Sequence, residues 1–300
     1  MTRSWIAALL LLFPIMTNSQ ASAGMQRFQI GSVELTAIED SQLALPTSVL
    51  QGATVNQLKA AYGAKTEAVT SVNAFVLRFH GHLILIDTGA RTGNTPHLLE
   101  QLKSAGIDPA SIEAVLLTHL HYDHIGNLLT PEGKRAFPNA AIRLSRAEYN
   151  YWLDPAQAAT PARQQRLDSL KTLFAPYLAA GACKPFDKEE APFPGITAIV
   201  TGGHTPGHTI YQIQDGPKKI LFIGDTIHFD KVQFPSPEVT VSFDSDSSLA
   251  RQNRLHLFEQ AAQQGTILAS AHIPFPGVGT LRKIGSGFQW QPLQADAPAK

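Results

Sequence analysis

Apolar residues alternate with polar ones at Phe28, Ile30, Val33, Leu35 and Ala37, and Gly31-Ser32 interrupts them midway; this predicts a short antiparallel pair turned at that dipeptide. Val55 to Tyr62 is an expected helix. Two denser apolar runs, Val72 to Phe79 and Leu83 to Ile86, flank His80-Gly81-His82 and predict a hairpin of buried strands. Pro96 to Ala105 has helical spacing through Leu98, Leu99 and Leu102 and stops at Gly106. Four further short apolar runs read as strands: Ile112 to Leu117, Ile196 to Val200, Ile220 to Ile223 and Thr266 to Ala269. Between the first two, Ser145-Arg146-Ala147-Glu148 has the form of a capping box. Pro161 to Ala180 follows with helical periodicity at Leu167, Leu170, Leu173, Phe174 and Leu178, so 136–194 reads as a helical insertion. Asp246 to Ala262 is an expected amphipathic helix.

What stands at the strand ends changes the picture. The run ending at Leu117 is followed by Thr118-His119-Leu120-His121-Tyr122-Asp123-His124-Ile125-Gly126-Asn127. His119 and His121 are two apart, which places them on one side of an extended segment and on nearly opposite sides of a helix. They share one metal only if the loop stays extended, while Asp123 and His124 can face a second ion as the chain enters a helix. A lone histidine would be a surface residue and a lone Asp123 a helix cap. Clustered imidazoles repel when protonated and leave lone pairs unsatisfied when buried, so the group points to metal. In the second half a strand again hands over a histidine, in Gly202-Gly203-His204-Thr205-Pro206-Gly207-His208. Gly224-Asp225-Thr226 follows the next run, where a carboxylate can bridge two cations, and Ser270-Ala271-His272 follows the last.

Composition narrows the class. The 300 residues carry 24 basic and 24 acidic side chains with no Lys/Arg run, which argues against a nucleic-acid partner held through phosphates. Arg3, the apolar stretch Trp5 to Met16 and Ala21-Ser22-Ala23 have the form of a secretory signal over residues 1–23, with a mature chain from Gly24 to residue 300. No apolar stretch reaches the ~20 residues of a spanning helix, so the expectation is a secreted or periplasmic protein without stable membrane insertion. The one cysteine, Cys183, has no intrachain partner and sits in a loop-like setting without an adjacent base. His80 and His82 repeat the His-x-His spacing at a hairpin tip and are expected to be exposed.

The His-x-His-x-Asp-His pattern resembles the signature of the metallo-β-lactamase superfamily, and Asp87-Thr88-Gly89 resembles its first motif. The resemblance implies an α/β fold, an αββα sandwich of two mixed sheets with outer helices. It assigns His204 to the ion held by His119 and His121, leaves His208 as a loop brace, and gives Asp87 an outer role behind the ligands. Asp123, His124 and His272 then hold a second ion and Asp225 is shared. Seven ligands exceed one tetrahedral site and suit two divalent ions ~3.5–4 Å apart with a hydroxide between them. Nitrogen and carboxylate ligands make Zn²⁺ the default, with Mn, Fe or Co compatible. A narrower likeness, in Gly224 to His228, Val232 to Phe234, Phe243 to Asp246 and Ala271 to Gly277, is to methyl parathion hydrolases. It implies small-molecule substrates (organophosphate triesters, lactones or aryl esters) and a homodimer. Asp123 and Asp225 are the catalytic carboxylates in this reading, and Trp152, Phe229 and Phe275 the expected substrate wall. Acyl-homoserine lactonases of the superfamily carry Tyr three residues after the bridging Asp, where this chain has His228. That residue is left with two readings, substrate contact or support of the metal ligands. The alternatives carried forward are an acyl-homoserine lactonase, a β-lactamase, and a non-hydrolytic metal-binding or redox protein on the same scaffold.

Overall fold

The computed structural model describes residues 24–91, 98–187 and 191–295; the expected signal over 1–23 and the start of the helix expected from Pro96 lie outside them. In chain order the strands are β1 (Met25–Ile30), β2 (Val33–Pro46), β3 (Leu50–Gln51), β4 (Glu67–Phe79), β5 (His82–Ile86), β6 (Ala114–Leu116) and β7 (Ala141–Arg143), then β8 (Ile196–Val200), β9 (Thr209–Asp215), β10 (Lys218–Phe222), β11 (Thr240–Val241), β12 (Ile267–Ala269), β13 (Val278–Ile284) and β14 (Gly287–Pro292). The helices are α1 (Val55–Tyr62), α2 (Leu98–Ser104), α3 (Tyr122–Ile125), α4 (Arg146–Leu153), α5 (Pro161–Ala179), α6 (Asp230–Gln233) and α7 (Ser247–Gln264).

Two six-stranded mixed sheets result, ordered β1-β2-β4-β5-β6-β7 and β14-β13-β12-β10-β9-β8, with β3 and β11 as a separate small pair. Period-two alternation sorts each strand between two cores. Phe75, Leu77 and Phe79 of β4, Ile84 and Ile86 of β5, and Ala114 and Leu116 of β6 meet Tyr211, Ile213, Ile220, Phe222 and Ala269 between the sheets. The intervening residues Ala74, Val76, Leu83, Leu85 and Val115 face outward onto Leu98 and Leu102 of α2 and Leu170, Phe174 and Tyr177 of α5. Burial on both faces explains why these strands read as unbroken apolar runs. On the far side, Ile210, Leu268 and Leu281 are covered by Leu257, Phe258 and Ala261 of α7. The layers are therefore helix, sheet, sheet, helix, the expected αββα sandwich.

Three differences from the sequence reading follow from strand length and pairing. The segment 136–194 is not wholly helical, because the three residues of β7 add an edge to the first sheet by pairing parallel to β6. The dense apolar run that marked the equally short β6 and β12 is missing around Ala141-Ile142-Arg143. β9, β13 and β14 were not anticipated; β13 and β14 form a hairpin with Ile284 opposite Gly287. Phe229 is the third: only 1% exposed, it packs with Leu50, Val232, Val239 and Val241 and edge-on to Tyr62. It is a core residue of the α1 and α6 region rather than a substrate wall.

Sheet direction positions the site. β5, β6 and β7 run parallel in one sheet and β10 and β12 in the other, so the loops that leave β6, β10 and β12 emerge at one edge. Backbone bonds tie that edge across the layers: Thr209 N donates to Thr118 O at 2.9 Å and Asn73 N to Ala271 O at 2.9 Å.

Phe174→Ala removes a fully buried ring between α5 and the first sheet and should cost about 3–5 kcal/mol, read by urea unfolding. Leu178→Ala, at an exposed position four residues on, should stay within about 1 kcal/mol. Equal losses would contradict the placement of α5.

Candidate metal centre

Each candidate ligand leaves the end of a strand. His119 and His121 sit on the extended loop after β6, with His121 at φ −71° and ψ 155°, so their two-residue spacing does put both rings on one side. Asp123 and His124 lie in α3, which begins at once. His204 lies between β8 and β9, Asp225 directly after β10 and His272 directly after β12. Seven side chains drawn from both sheets thus form two groups, His119–His121–His204–Asp225 and Asp123–His124–His272–Asp225, each with ligand atoms within 4.8 Å of one another.

Asp225 divides its carboxylate between them. Oδ2 lies 3.0 Å from His204 Nε2 and 3.4 Å from His119 Nε2. Oδ1 lies 3.0 Å from His124 Nε2 and 3.2 Å from His272 Nε2. Asp123 Oδ2 completes the second group at 3.2 Å from His272 Nε2. Among the seven ligands, Asp123 keeps a solvent-facing edge, with 22% of its side chain exposed, while Asp225 and His272 are buried.

The outward nitrogens settle the tautomers. His204 Nδ1 is 2.9 Å from Asp244 Oδ1, His124 Nδ1 is 2.8 Å from Asp87 Oδ2, and His272 Nδ1 is 3.0 Å from the carbonyl of Ser71. These oxygens only accept, so each Nδ1 carries a proton and, once the ring is neutral, each Nε2 presents its lone pair inward. His119 obeys the same logic through Thr118, whose hydroxyl donates to Asp87 Oδ2 at 2.8 Å and accepts from His119 Nδ1 at 3.1 Å. His121 turns Nδ1 inward, 2.9 Å from His119 Nε2 and 3.0 Å from His204 Nε2. With all three rings neutral, a single ring proton cannot satisfy both facing lone pairs, so a cation or a further proton must sit among them. His124 Nε2 and Asp225 Oδ1 are likewise buried without a hydrogen-bond partner. Two divalent cations fit both groups, because each would take the place of protons that these crowded inward nitrogens and the Asp225 carboxylate otherwise need.

Electrostatics agree. Burial works against charge on Asp225, yet the imidazoles of His124, His272, His119 and His228 hold its carboxyl well below the usual range. Burial likewise opposes charge on His204 and His272, but Asp225 with Asp244 raises the first to about 9, and Asp225 with Asp123 raises the second to about 10. His208 goes the other way, pushed down to about 3 by burial and by His204. It is no ligand: Asp225 N donates to its Nε2 at 3.0 Å and Thr201 Oγ1 meets its Nδ1 at 2.9 Å, the bracing role that the resemblance implied.

The remaining candidates fall as follows. His228 Nε2 lies 3.0 Å from Asp225 Oδ2 and its ring stacks on that of His272. Trp152 is half-buried with its ring edge-on to His121 at 5.7 Å. Phe275 is half-buried against the inter-sheet core, and its N–H donates to Ser71 Oγ. Cys183 is a half-buried free thiol raised to about 11 by burial. Exposed Phe243, which sequence reasoning gave no role, lies edge-on to His204 and His228 at 5.8 and 4.9 Å. The outer partners Asp244 and Ser71 were missed too. Asp244 stood in a stretch noted for likeness alone, and Ser71 acts through its carbonyl, which no side-chain pattern reports. Asp87 has φ 56°, and its Oδ1 accepts from Thr118 N at 2.8 Å, so the loop of the ligands hangs on this left-handed residue.

Comparison with known proteins agrees with this geometry. The profile of the Metallo-beta-lactamase superfamily matches residues 68–272. A solved hydrolase of the beta lactamase superfamily, AbOPH, superposes with a TM-score of 0.86 at 33% identity, covering 93% of this chain and 100% of that one. AidC, a dizinc quorum-quenching lactonase solved with a product, gives a TM-score of 0.80 at 27% identity over 91% of this chain and 99% of its own. An N-acyl homoserine lactonase from Bacillus cereus is 29% identical over 154 residues, 51% of this chain and 54% of the lactonase, so the chain spans about half the length of that relative. With the family profile covering more than half of its residues and AbOPH matched end to end, the chain belongs to the metallo-beta-lactamase superfamily.

Proposed function

We propose that the protein is a dinuclear metal-dependent hydrolase of ester-like bonds, acting on lactones and aryl esters and, as a side activity, on organophosphate triesters. One observation carries the reading: the buried Asp225 carboxylate gives one oxygen to each of two nitrogen-rich half-sites. Bound there, two divalent cations supply Lewis acidity and bring the pKa of water near neutrality, which removes the need for a general base. Zn²⁺ is the proposed metal, since the ligands are nitrogen and oxygen without thiolate.

The chain's own residues do the rest. Asp225 sets the separation of the half-sites, and His228 holds the oxygen of Asp225 that faces the first of them. His228 is therefore proposed as a positioning residue. Asp123 leaves the second half-site open to solvent, as a catalytic centre requires and a sealed structural site does not. Trp152 and Phe243 flank the first half-site with ring edges, an apolar wall for an acyl or aryl group. An acyl-homoserine lactonase is the second reading, favoured by the likeness to AidC over nearly the whole chain. We also propose export, on the signal-like pattern of residues 1–23, and a homodimer, on family likeness alone.

Steady-state kinetics on a dihydrocoumarin-type lactone, N-hexanoyl homoserine lactone, a β-lactam and a methyl parathion-type triester should give the highest kcat/KM with the first. A triester preference of several orders of magnitude would reverse the order proposed, and failure to cleave any of them would end the hydrolase reading.

Metal stoichiometry checks the shared carboxylate. Asp225→Ala should strip both ions, whereas His272→Ala should lose mainly one. Loss of both ions in the second variant contradicts the division.

Proton linkage gives a further expectation. His204 and His272, raised to about 9 and about 10, carry protons at neutral pH in chelator-treated protein and must release them to bind an ion. Apparent Zn²⁺ affinity should therefore rise with pH through this range and fall toward acid. Titration in a weakly buffered solution should register proton release, and a pH-independent affinity would refute it.

A further inference from the structure

Glu148 belongs to the first turn of α4, where its side chain has none of the role that a capping box assigns. Ser145 does its half, its Oγ accepting from Glu148 N at 3.1 Å. The Glu148 carboxylate instead turns inward, 0% exposed, and accepts four hydrogen bonds. Oε1 takes Leu120 N at 3.0 Å and Trp152 Nε1 at 2.6 Å. Oε2 takes Thr205 Oγ1 at 2.7 Å and Gly207 N at 3.0 Å. Three of these donors cannot accept, so an ionised carboxylate satisfies the whole set and an amide does not.

The donors are placed tellingly. Leu120 is the residue between His119 and His121, and its carbonyl is taken by Arg166 of α5, so the peptide on each side of Leu120 is held. Thr205 follows His204 directly. Gly207 packs so closely on α4 that an added Cβ would lie 2.1 Å from Glu148 N. Trp152, fixed through its indole N–H, is the ring beside His121. All three histidines of the first half-site and its neighbouring wall thus converge on one carboxylate. The supports of the second half-site do not pass through Glu148: Asp87 behind His124, which also reaches His119 through Thr118, the Ser71 carbonyl behind His272, and Asn73, which donates to Ser270 O and Ile273 O at 3.1 and 2.9 Å.

We propose that Glu148 is the positioning residue of the first metal half-site, holding the His119–His121 loop and the His204 loop at a fixed separation and setting the Trp152 ring against them. This rests on the two-ion reading above, but its test reads metal binding and not turnover. The full chain is stripped with chelator and titrated with Co²⁺ in two backgrounds. In His272→Ala, where only the first half-site is complete, Glu148→Gln should weaken Co²⁺ binding by about 10–100-fold and shift its visible absorption bands. In His121→Ala, where only the second is complete, the same change should move affinity by no more than about threefold.

Equal weakening in both backgrounds would make Glu148 a general scaffold residue and overturn the assignment, as would no weakening in the first. Should Glu148→Gln fail to fold by circular dichroism, Thr205→Val, which removes one donor and leaves the carboxylate, must show the same asymmetry at smaller size; without it the proposal falls. A protein that shows the asymmetry yet hydrolyses nothing would refute the hydrolase reading alone. One that binds no ion in either background would refute both.

Discussion

A carboxylate and five imidazoles cannot share a dry pocket without a reason, and the structure depends on how that constraint is met. Burying a single ion costs several kcal/mol even after relaxation. Asp225 is tolerated because imidazole nitrogens surround it, and those imidazoles are tolerated because an acceptor behind each of His119, His124, His204 and His272 fixes which nitrogen keeps the proton. The order cannot be rearranged piecemeal. Flipping the ring of His124, His204 or His272 would put a C–H where its Nδ1–H stands and leave a buried carboxylate or carbonyl without that donor.

The sandwich makes this convergence possible because neither sheet holds a complete half-site. His119 and His121 come from the first sheet and meet His204 and Asp225 from the second. Asp123 and His124 come from the first and meet His272 and the same Asp225 from the second. The centre is therefore also a joint between layers, beside the backbone bonds from Thr209 to Thr118 and from Asn73 to Ala271. Ions bound at such a joint would favour the docked sheets over separated ones, since binding to the native arrangement adds to its stability by mass action.

Much of this was legible from local pattern. The strand-then-histidine rhythm marked the loops from which the seven grouped side chains come, the family resemblance chose His204 over His208, and the two-residue spacing of His119 and His121 stated its own geometry. Long helices such as α5 and α7 were legible from periodicity. What stayed hidden depends on partners far along the chain. Phe229 was expected in the substrate wall, but adjacent side chains on a loop can turn to opposite sides, and this one faces Tyr62. β7 lacks the apolar run that announced β6, and it pairs along the edge that β6 offers. The Ser71 carbonyl behind His272 has no signature at all.

Glu148 shows the same limit most sharply, since one sequence pattern there admits two structures. In Ser-x-x-Glu the acid at the third helical position closes a capping box when nothing stronger competes for it. Here two loops bring backbone N–H groups with no other acceptor to the inner face of α4. Leaving them unsatisfied would cost about 1–3 kcal/mol each, more than the reciprocal bond of a cap returns. The carboxylate therefore goes to the loops, and α4 becomes registered to the ligands rather than merely lying over them. It follows that the wall carrying Trp152 and the first half-site are one mechanical unit. A change of substrate preference made by moving that wall would therefore disturb the metal ligands as well.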